Sequence, residues 1–175
     1  MPLYLRFDDL IEYTDWERGK WREFLLARGD AVLKIGVGSH GDGRFQSVGD
    51  LVRHIFSAEA RYIDRLSERE LTDPSRIASD NVEGLFEFGA ETRKRLKEFV
   101  SSFPAERWDE NVELKLMNST IRATPRKIVV QVVMHEIRHW PQLATLLRLN
   151  GIVAEFRDFL FSPVMTGEVR REISA

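Results

Sequence analysis

Four long stretches of the chain repeat apolar residues three or four positions apart, the spacing that places side chains on one face of an α-helix. Turn signals separate the stretches, so each has a clear beginning and end. The pattern predicts helices over about Asp8 to Ala27, Ser47 to Ser67, Asn81 to Phe103 and Thr124 to Leu149. Helices with one apolar face bury that face against each other. The sequence therefore predicts an all-α bundle.

The connecting segments are shorter and less regular. Apolar residues alternate with polar ones from Val112 to Ile121, which predicts a short β-hairpin. Residues Val153 to Leu160 are mostly apolar and predict a short fifth helix before the Ser162-Pro163 break. The glycine-rich stretch from residue 36 to residue 44 matches no phosphate-binding spacing, so we interpret it as a flexible connection.

Length and composition favour one soluble domain spanning residues 1–175. The net charge of −2 argues against a nucleic-acid partner, which would require a basic surface. The chain has no cysteine, which excludes disulfides, thiolate metal ligands and a cysteine nucleophile. The N-terminal residues have no long apolar run, so we expect neither a signal peptide nor a membrane span. The absence of cysteine fits a reducing compartment, and we expect a cytoplasmic protein.

The histidines are the strongest functional signal. His135 and His139 are four residues apart in the last predicted helix, so they lie on the same face and both rings can reach one metal ion. His54 borders the apolar face of the second helix, whereas His40 falls in the glycine-rich stretch. Three imidazoles suit Zn²⁺, Ni²⁺ or another divalent ion. The alternative is a pair of core histidines that hydrogen-bond to backbone or carboxylate partners.

The same stretch also matches the His-Glu-x-x-His signature of zinc proteases, with Glu136 in the position of the general base. The extended form of that signature requires a glycine and a further histidine, but Gln142 and Thr145 occupy those positions. The predicted bundle also lacks the sheet of such proteases. The pattern therefore favours a metal site over a protease site, with Glu136 as a neighbouring group.

Several motifs together resemble the DinB/YfiT-like superfamily of metal-dependent enzymes, and the resemblance spans nearly the whole chain. The matching residues are Tyr13 and Trp16, Leu51-Val52-Arg53-His54-Ile55, Ala58-Glu59, Thr124-Pro125, His135-x-x-x-His139-x-x-Gln142, Leu146, Arg148 and Gly151. Members of this family often read His-Arg-Gly-Gln at the end of the last motif. Here Trp140 and Pro141 replace the Arg-Gly pair, while Gln142 is kept.

The resemblance implies an up-down-down-up four-helix bundle with a three-histidine metal centre. By position, its ligands are His54, His135 and His139. The family includes thiol-dependent S-transferases and a thiol-dependent isomerase, and the resemblance also suggests a homodimer.

Helical spacing places further candidate residues near the histidines. Arg61 lies about two turns after His54, where it would bind a substrate carboxylate; the alternative is a solvated arginine. Gln142 lies one turn after His139, where it would hold a metal-bound water; the alternative is a structural amide. Glu59 and Gln131 are candidates to accept the second ring N–H of a ligating histidine.

Together these observations predict a metal-dependent enzyme that acts on a small molecule. The metal would activate either water, giving a hydrolase, or a thiol, giving an S-transferase or isomerase. Because the chain has no cysteine, the thiol would be a low-molecular-weight cosubstrate. The alternative is a helical bundle that binds a metal or a partner without turnover.

Overall fold

The computed structural model describes residues 4–38, 44–116 and 118–165. It contains four long helices, which we number α1 (Phe7–Leu26), α2 (Val48–Leu66), α3 (Val82–Ser102) and α4 (Pro125–Leu149). All four predicted helices are confirmed, and each predicted end lies within one residue of the observed one. No helix within the described ranges is long and apolar enough to cross a membrane.

Side-chain caps explain why three of these helices begin where they do. Ser47, Asn81 and Thr124 each precede a helix, and each side-chain oxygen accepts a hydrogen bond from the backbone N–H three residues later. These bonds satisfy N–H groups that have no partner within the helix. Pro125 follows Thr124 at the first helical position, where a missing N–H costs nothing.

The predicted hairpin is also confirmed. Strand β1 (Val112–Leu116) pairs antiparallel with strand β2 (Ser119–Ala123). Leu114 and Ala123 are buried against Ile128 of α4, so the hairpin covers the first turns of that helix. The hairpin is a small addition to the helical bundle and does not form a second structural layer.

The predicted fifth helix is wrong. Residues 152–158 form no regular secondary structure, and only a 3₁₀ turn at Phe159–Phe161 follows. The apolar side chains of the segment are largely exposed, with Phe156 at 82% and Leu160 at 84%, so no buried face supports a helix. The segment is held as an extended strap instead, because the Arg157 guanidinium stacks on Trp21 and the Tyr13 hydroxyl donates to the Arg157 carbonyl.

Two buried clusters show how the helices run relative to each other. The first joins the C-terminal half of α1, the N-terminal halves of α2 and α3, and the C-terminal half of α4: Trp21, Leu25, Val48, Leu51, Val52, Ile55, Phe56, Val82, Leu85, Phe86, Trp140, Leu143, Leu146 and Leu147. The second joins the opposite halves: Ile11, Ile63, Leu96, Val129, Val132 and Val133. Helices α1 and α4 therefore run one way and α2 and α3 the other, which is the up-down-down-up bundle.

A buried ionic network, defined by Arg18, Glu59, Arg93 and Glu136, lies at the middle of the four helices. Arg18 binds both Glu136 and Glu59, and Arg93 also binds both carboxylates. All four residues are at most 7% exposed. Two buried cations and two buried anions balance in charge, and each helix contributes one of them. The network therefore ties α1, α2, α3 and α4 together at one level.

Candidate metal centre

Three histidines from two helices meet beside the first cluster. His54 comes from the second turn of α2, and His135 and His139 come from successive turns of α4. One candidate ligand atom from each ring lies within 4.8 Å of the other two. The Nε2 atoms of His135 and His139 are 3.0 Å apart. The predicted convergence of the three rings is therefore present, because α2 and α4 run antiparallel and face each other at this level.

Gln142 orients the most buried of these rings. Its Oε1 atom lies 2.6 Å from Nδ1 of His139. An amide oxygen only accepts hydrogen bonds, so the ring must donate through Nδ1–H. In the neutral ring this leaves the lone pair on Nε2, the atom that faces His135. His135 Nε2–H then donates to His139 Nε2, and a metal ion would take the place of that proton.

The environment keeps His135 in the neutral form that binds metals. Burial lowers the pKa of His135 to about 3, and the charges of His139, His54, Arg44 and Arg138 act in the same direction. A neutral imidazole offers a lone pair, whereas imidazolium does not. This half-buried ring is therefore a ready ligand at neutral pH.

The donor set fits a divalent metal ion. Two imidazole nitrogens bound to one zinc ion lie about 3.0–3.4 Å apart, given bonds of about 2.1 Å and angles between those of octahedral and tetrahedral sites. The separation of 3.0 Å between His135 and His139 falls in that range, and the candidate nitrogen of His54 lies within 4.8 Å of both, close enough to join them by a small movement of its ring. Three nitrogen ligands suit zinc, nickel and similar ions and leave coordination positions for other groups.

Glu136 is not placed as a catalytic base. It is 2% exposed and its carboxylate accepts from Arg18, Arg93 and the indole N–H of Trp140. Burial raises its pKa, but the charges of Arg18 and Arg93 outweigh that effect and leave the pKa below its usual value. The carboxylate is engaged in the ionic network and is not available as a base beside the histidines, which argues against the protease interpretation.

The two candidates for orienting the rings are wrong. Glu59 bonds to Arg18, Arg93 and Thr92, so its carboxylate serves the ionic network. Gln131 is exposed on α4. Spacing alone misassigned this role because it could not show that Gln142, one turn further along α4, points back at His139.

The remaining sequence candidates are placed as follows. Arg61 is half-buried, and its Nη1 donates to the carbonyl of Thr72 at 2.9 Å, which holds the loop after α2. Its role towards a substrate stays a prediction. His40 lies outside the described residues. Arg138 and Arg148 are exposed, as expected for solvated charges.

A cavity of about 310 Å³ adjoins the histidines, and we call it the distal cavity. Its walls are Val37, Phe45, Leu51, Pro141, Gln142, Thr145, Leu146 and Leu149. Phe45 links it to the metal centre, because its ring centroid lies 5.9 Å from that of His54 and 6.3 Å from that of His139.

Sequence reasoning missed both Phe45 and the ionic network. Residues 39–43 of the predicted flexible connection lie outside the described residues. The two ends of that connection are held together, because Val37 donates its N–H to the Gln46 carbonyl, and Val37 and Phe45 are buried. A signal existed: Phe45 is an aromatic residue that directly follows the glycine-rich stretch. Arg18, likewise, stands within the apolar stripe of α1, where a charge implies a buried partner.

Comparison with known proteins agrees with the geometry. The sequence model described as the DinB family matches residues 3–172. A DinB-like protein from Bacillus cereus ATCC 10987 superposes with a TM-score of 0.62 at 11% identity, covering 88% of this chain and 99% of that one. A DinB-like protein from Bacillus subtilis gives a TM-score of 0.55 at 15% identity, covering 85% and 96%. No curated protein matches the chain. At these identities the solved structures establish the fold alone.

Proposed function

Because the chain belongs to the DinB family, we propose that it is an enzyme that uses a divalent metal ion, held by His54, His135 and His139, to act on a small molecule. When bound, the ion would supply Lewis acidity that activates either a water molecule or an external low-molecular-weight thiol. The two outcomes are a hydrolase and a thiol-dependent S-transferase or isomerase. The proposal includes a cytoplasmic location and, as the family resemblance suggests, a homodimer.

One observation carries the proposal: three imidazoles converge while Gln142 fixes the ring of the innermost one. His139 is fully buried, and burying several unligated imidazoles together is costly. A hydrogen bond from the far ring nitrogen is the usual support for a ligating histidine. A pair of core histidines needs no third ring from another helix, so the convergence favours a metal site.

The chain's own residues hold this site in place. Gln142 sets the tautomer of His139, and Glu136 anchors α4 to α1 through Arg18. Gln142 also lines the distal cavity, so its amide N–H₂ would contact a substrate there. We retain Arg61 as a proposed substrate-binding residue, which would require its guanidinium to leave the Thr72 carbonyl.

The test begins with elemental analysis of protein purified without an affinity tag. We expect about one divalent ion per chain, and loss of that ion in His54→Ala, His135→Ala and His139→Ala. Gln131→Ala, an exposed substitution on α4, should keep it. Circular dichroism should show that the helical content of the histidine variants is retained.

Turnover is then measured on metal-loaded protein with ester substrates and with electrophiles supplied together with a thiol. Activity that disappears together with the metal supports the enzyme. Full turnover by metal-free His139→Ala would refute it, and stoichiometric metal with no turnover would favour a non-catalytic metal-binding bundle.

A further inference from the structure

The distal cavity lies one helical turn from the histidines, at the end of the bundle where α2 begins and α4 ends. Leu51 precedes His54 by three residues, and Gln142 follows His139 by three. Because α2 and α4 run antiparallel, both steps lead in the same direction, and both residues line the cavity. A molecule in the distal cavity would therefore lie next to the metal centre, because Phe45 and Gln142 contact both the cavity and the histidines.

The chemistry of the cavity walls is mainly apolar. Among the lining residues of the described chain, Gln142 and Thr145 are the only polar side chains, and none is charged. A cavity of about 150 Å³ with apolar walls holds benzene. The distal cavity is about twice that size, which is room for a bicyclic or a branched alkyl group.

No cationic side chain is among the described residues that line the cavity. Arg61 binds the Thr72 carbonyl and does not line the cavity. Arg44 and Arg138 act on His135 electrostatically, but both side chains are exposed and neither lines the cavity. In the metal-free protein, a carboxylate placed in the distal cavity would lose hydration without gaining a cationic side chain among the described lining residues.

We propose that the distal cavity selects an uncharged, mainly apolar substrate, or the uncharged apolar part of one, and presents it to the three-histidine centre. This inference rests on the proposed function, since it names the substrate class of that same site. Gln142 and Thr145 orient the ligand by hydrogen bonding, while Phe45, Leu51 and Leu146 supply the contact area. Burial of apolar surface is the main source of affinity.

Three aromatic ligands of matched shape test the proposal: 2-naphthamide is neutral, 2-naphthoate is anionic and 2-naphthamidine is cationic at neutral pH. Isothermal titration calorimetry on the full chain, with and without Zn²⁺, gives the three dissociation constants. We expect 2-naphthamide to bind the metal-free protein at least about tenfold more tightly than either charged analogue, because each charge must be desolvated. Equal or tighter binding of 2-naphthoate to the metal-free protein overturns the proposal and points to the exposed arginines as an anion site. The titrations with Zn²⁺ then show whether the metal adds a coordinating partner for the carboxylate.

A second arm locates the binding site. Thr145→Trp places a large side chain at the exposed mouth of the cavity and should weaken 2-naphthamide at least about tenfold. Met134→Trp, at an exposed position of α4 outside the cavity, should bind it as the unsubstituted protein does. Unchanged affinity in Thr145→Trp overturns the assignment. The charge series on the unsubstituted protein remains decisive if Thr145→Trp fails to fold.

A chelator-competition titration of Zn²⁺ on the same samples separates the two proposals. Zinc binding, together with a preference of the metal-free protein for 2-naphthoate, refutes the substrate class and leaves the metal centre intact. Selective binding of 2-naphthamide without zinc binding refutes the metal centre but still supports the preference of the cavity for an uncharged ligand.

Discussion

Arg18 and Glu136 form a two-bond ion pair in the buried middle of the bundle, with Nε–Oε1 at 2.6 Å and Nη2–Oε2 at 2.8 Å. Arg18 belongs to α1, and Glu136 directly follows His135 on α4. The parallel pair of hydrogen bonds fixes direction as well as distance. The turn of α4 that carries the histidines is thus locked to a neighbouring helix through the residue that follows His135.

Replacing one member of this network should destabilise the fold. Glu136→Gln keeps the shape but leaves two buried arginines facing one buried carboxylate, that of Glu59, since the other partner of Arg93, Asp15, is partly exposed. Breaking a buried pair typically costs about 3–5 kcal/mol. We expect the free energy of unfolding, measured in urea, to fall by about that amount. Glu91→Gln, at an exposed position of α3, should change it by less than about 0.5 kcal/mol. Equal effects of the two substitutions would show that the network does not stabilise the bundle.

Gln142 should matter to metal affinity although it is not a ligand. Gln142→Leu removes the acceptor for His139 Nδ1–H, and loss of such a partner typically weakens metal binding about 10- to 100-fold. Competition with a chromogenic zinc chelator measures the change. The control is Thr145→Val, which alters another polar residue of the distal cavity without touching His139. Wild-type zinc affinity in Gln142→Leu would mean that packing alone orients the ring.

Gly89 and Gly19 form a matched pair of glycines in helix interiors. A Cβ on Gly89 would lie 2.8 Å from the Phe56 ring, whereas a Cβ on Gly19 meets nothing within 4 Å. Both substitutions to alanine gain helix propensity, about 0.5–1 kcal/mol. We expect Gly19→Ala to raise the melting temperature and Gly89→Ala to lower it, because the fully buried Phe56 has little room to move. A similar rise in both would show that Phe56 adjusts without cost.

The sequence predicted the helices well because helix ends depend on residues close together in the chain. Ser47, Asn81 and Thr124 are good N-cap residues, and each stands directly before a stretch with helical apolar spacing. It predicted the metal ligands because His135 and His139 share a helical face and the family resemblance supplied His54. The fifth helix failed because the apolar pattern of Val153 to Leu160 does not reveal whether a surface exists to bury it.

The ionic network could not be assigned from the sequence for a related reason. The four charged residues of the network each lie on the apolar face of a helix, where a buried charge requires an oppositely charged partner. Those partners lie on other helices, up to 118 positions away in the sequence, so their identity depends on how the helices are rotated and packed. Spacing along one helix contains no such information.

Glu17 should make the stability of the protein depend on pH. Its side chain is buried between α1, α4 and the extended segment of residues 152–158, and its Oε2 has no hydrogen-bond partner within the described chain. Burial, with the negative charge of Glu136 in addition, raises the pKa of Glu17 to about 8. At neutral pH the folded protein therefore keeps this proton.

Proton linkage decides whether Glu17 makes the protein more or less stable as the pH rises. Above a pH of about 4.5 the unfolded chain releases the Glu17 proton, while the folded chain holds it until the pH approaches 8. The native state binds more protons in this window, so the contribution of Glu17 to stability is present below it and is lost as the pH rises through it.

The substitution Glu17→Gln, which is neutral at every pH, should lack this loss of stability. Urea unfolding at pH 5 and pH 8 should therefore show Glu17→Gln gaining stability relative to the wild type as the pH rises. Glu12→Gln, at an exposed position of the same helix, should track the wild type. A constant difference between Glu17→Gln and the wild type would mean that Glu17 is ionised in the folded protein, with its charge compensated by Arg157.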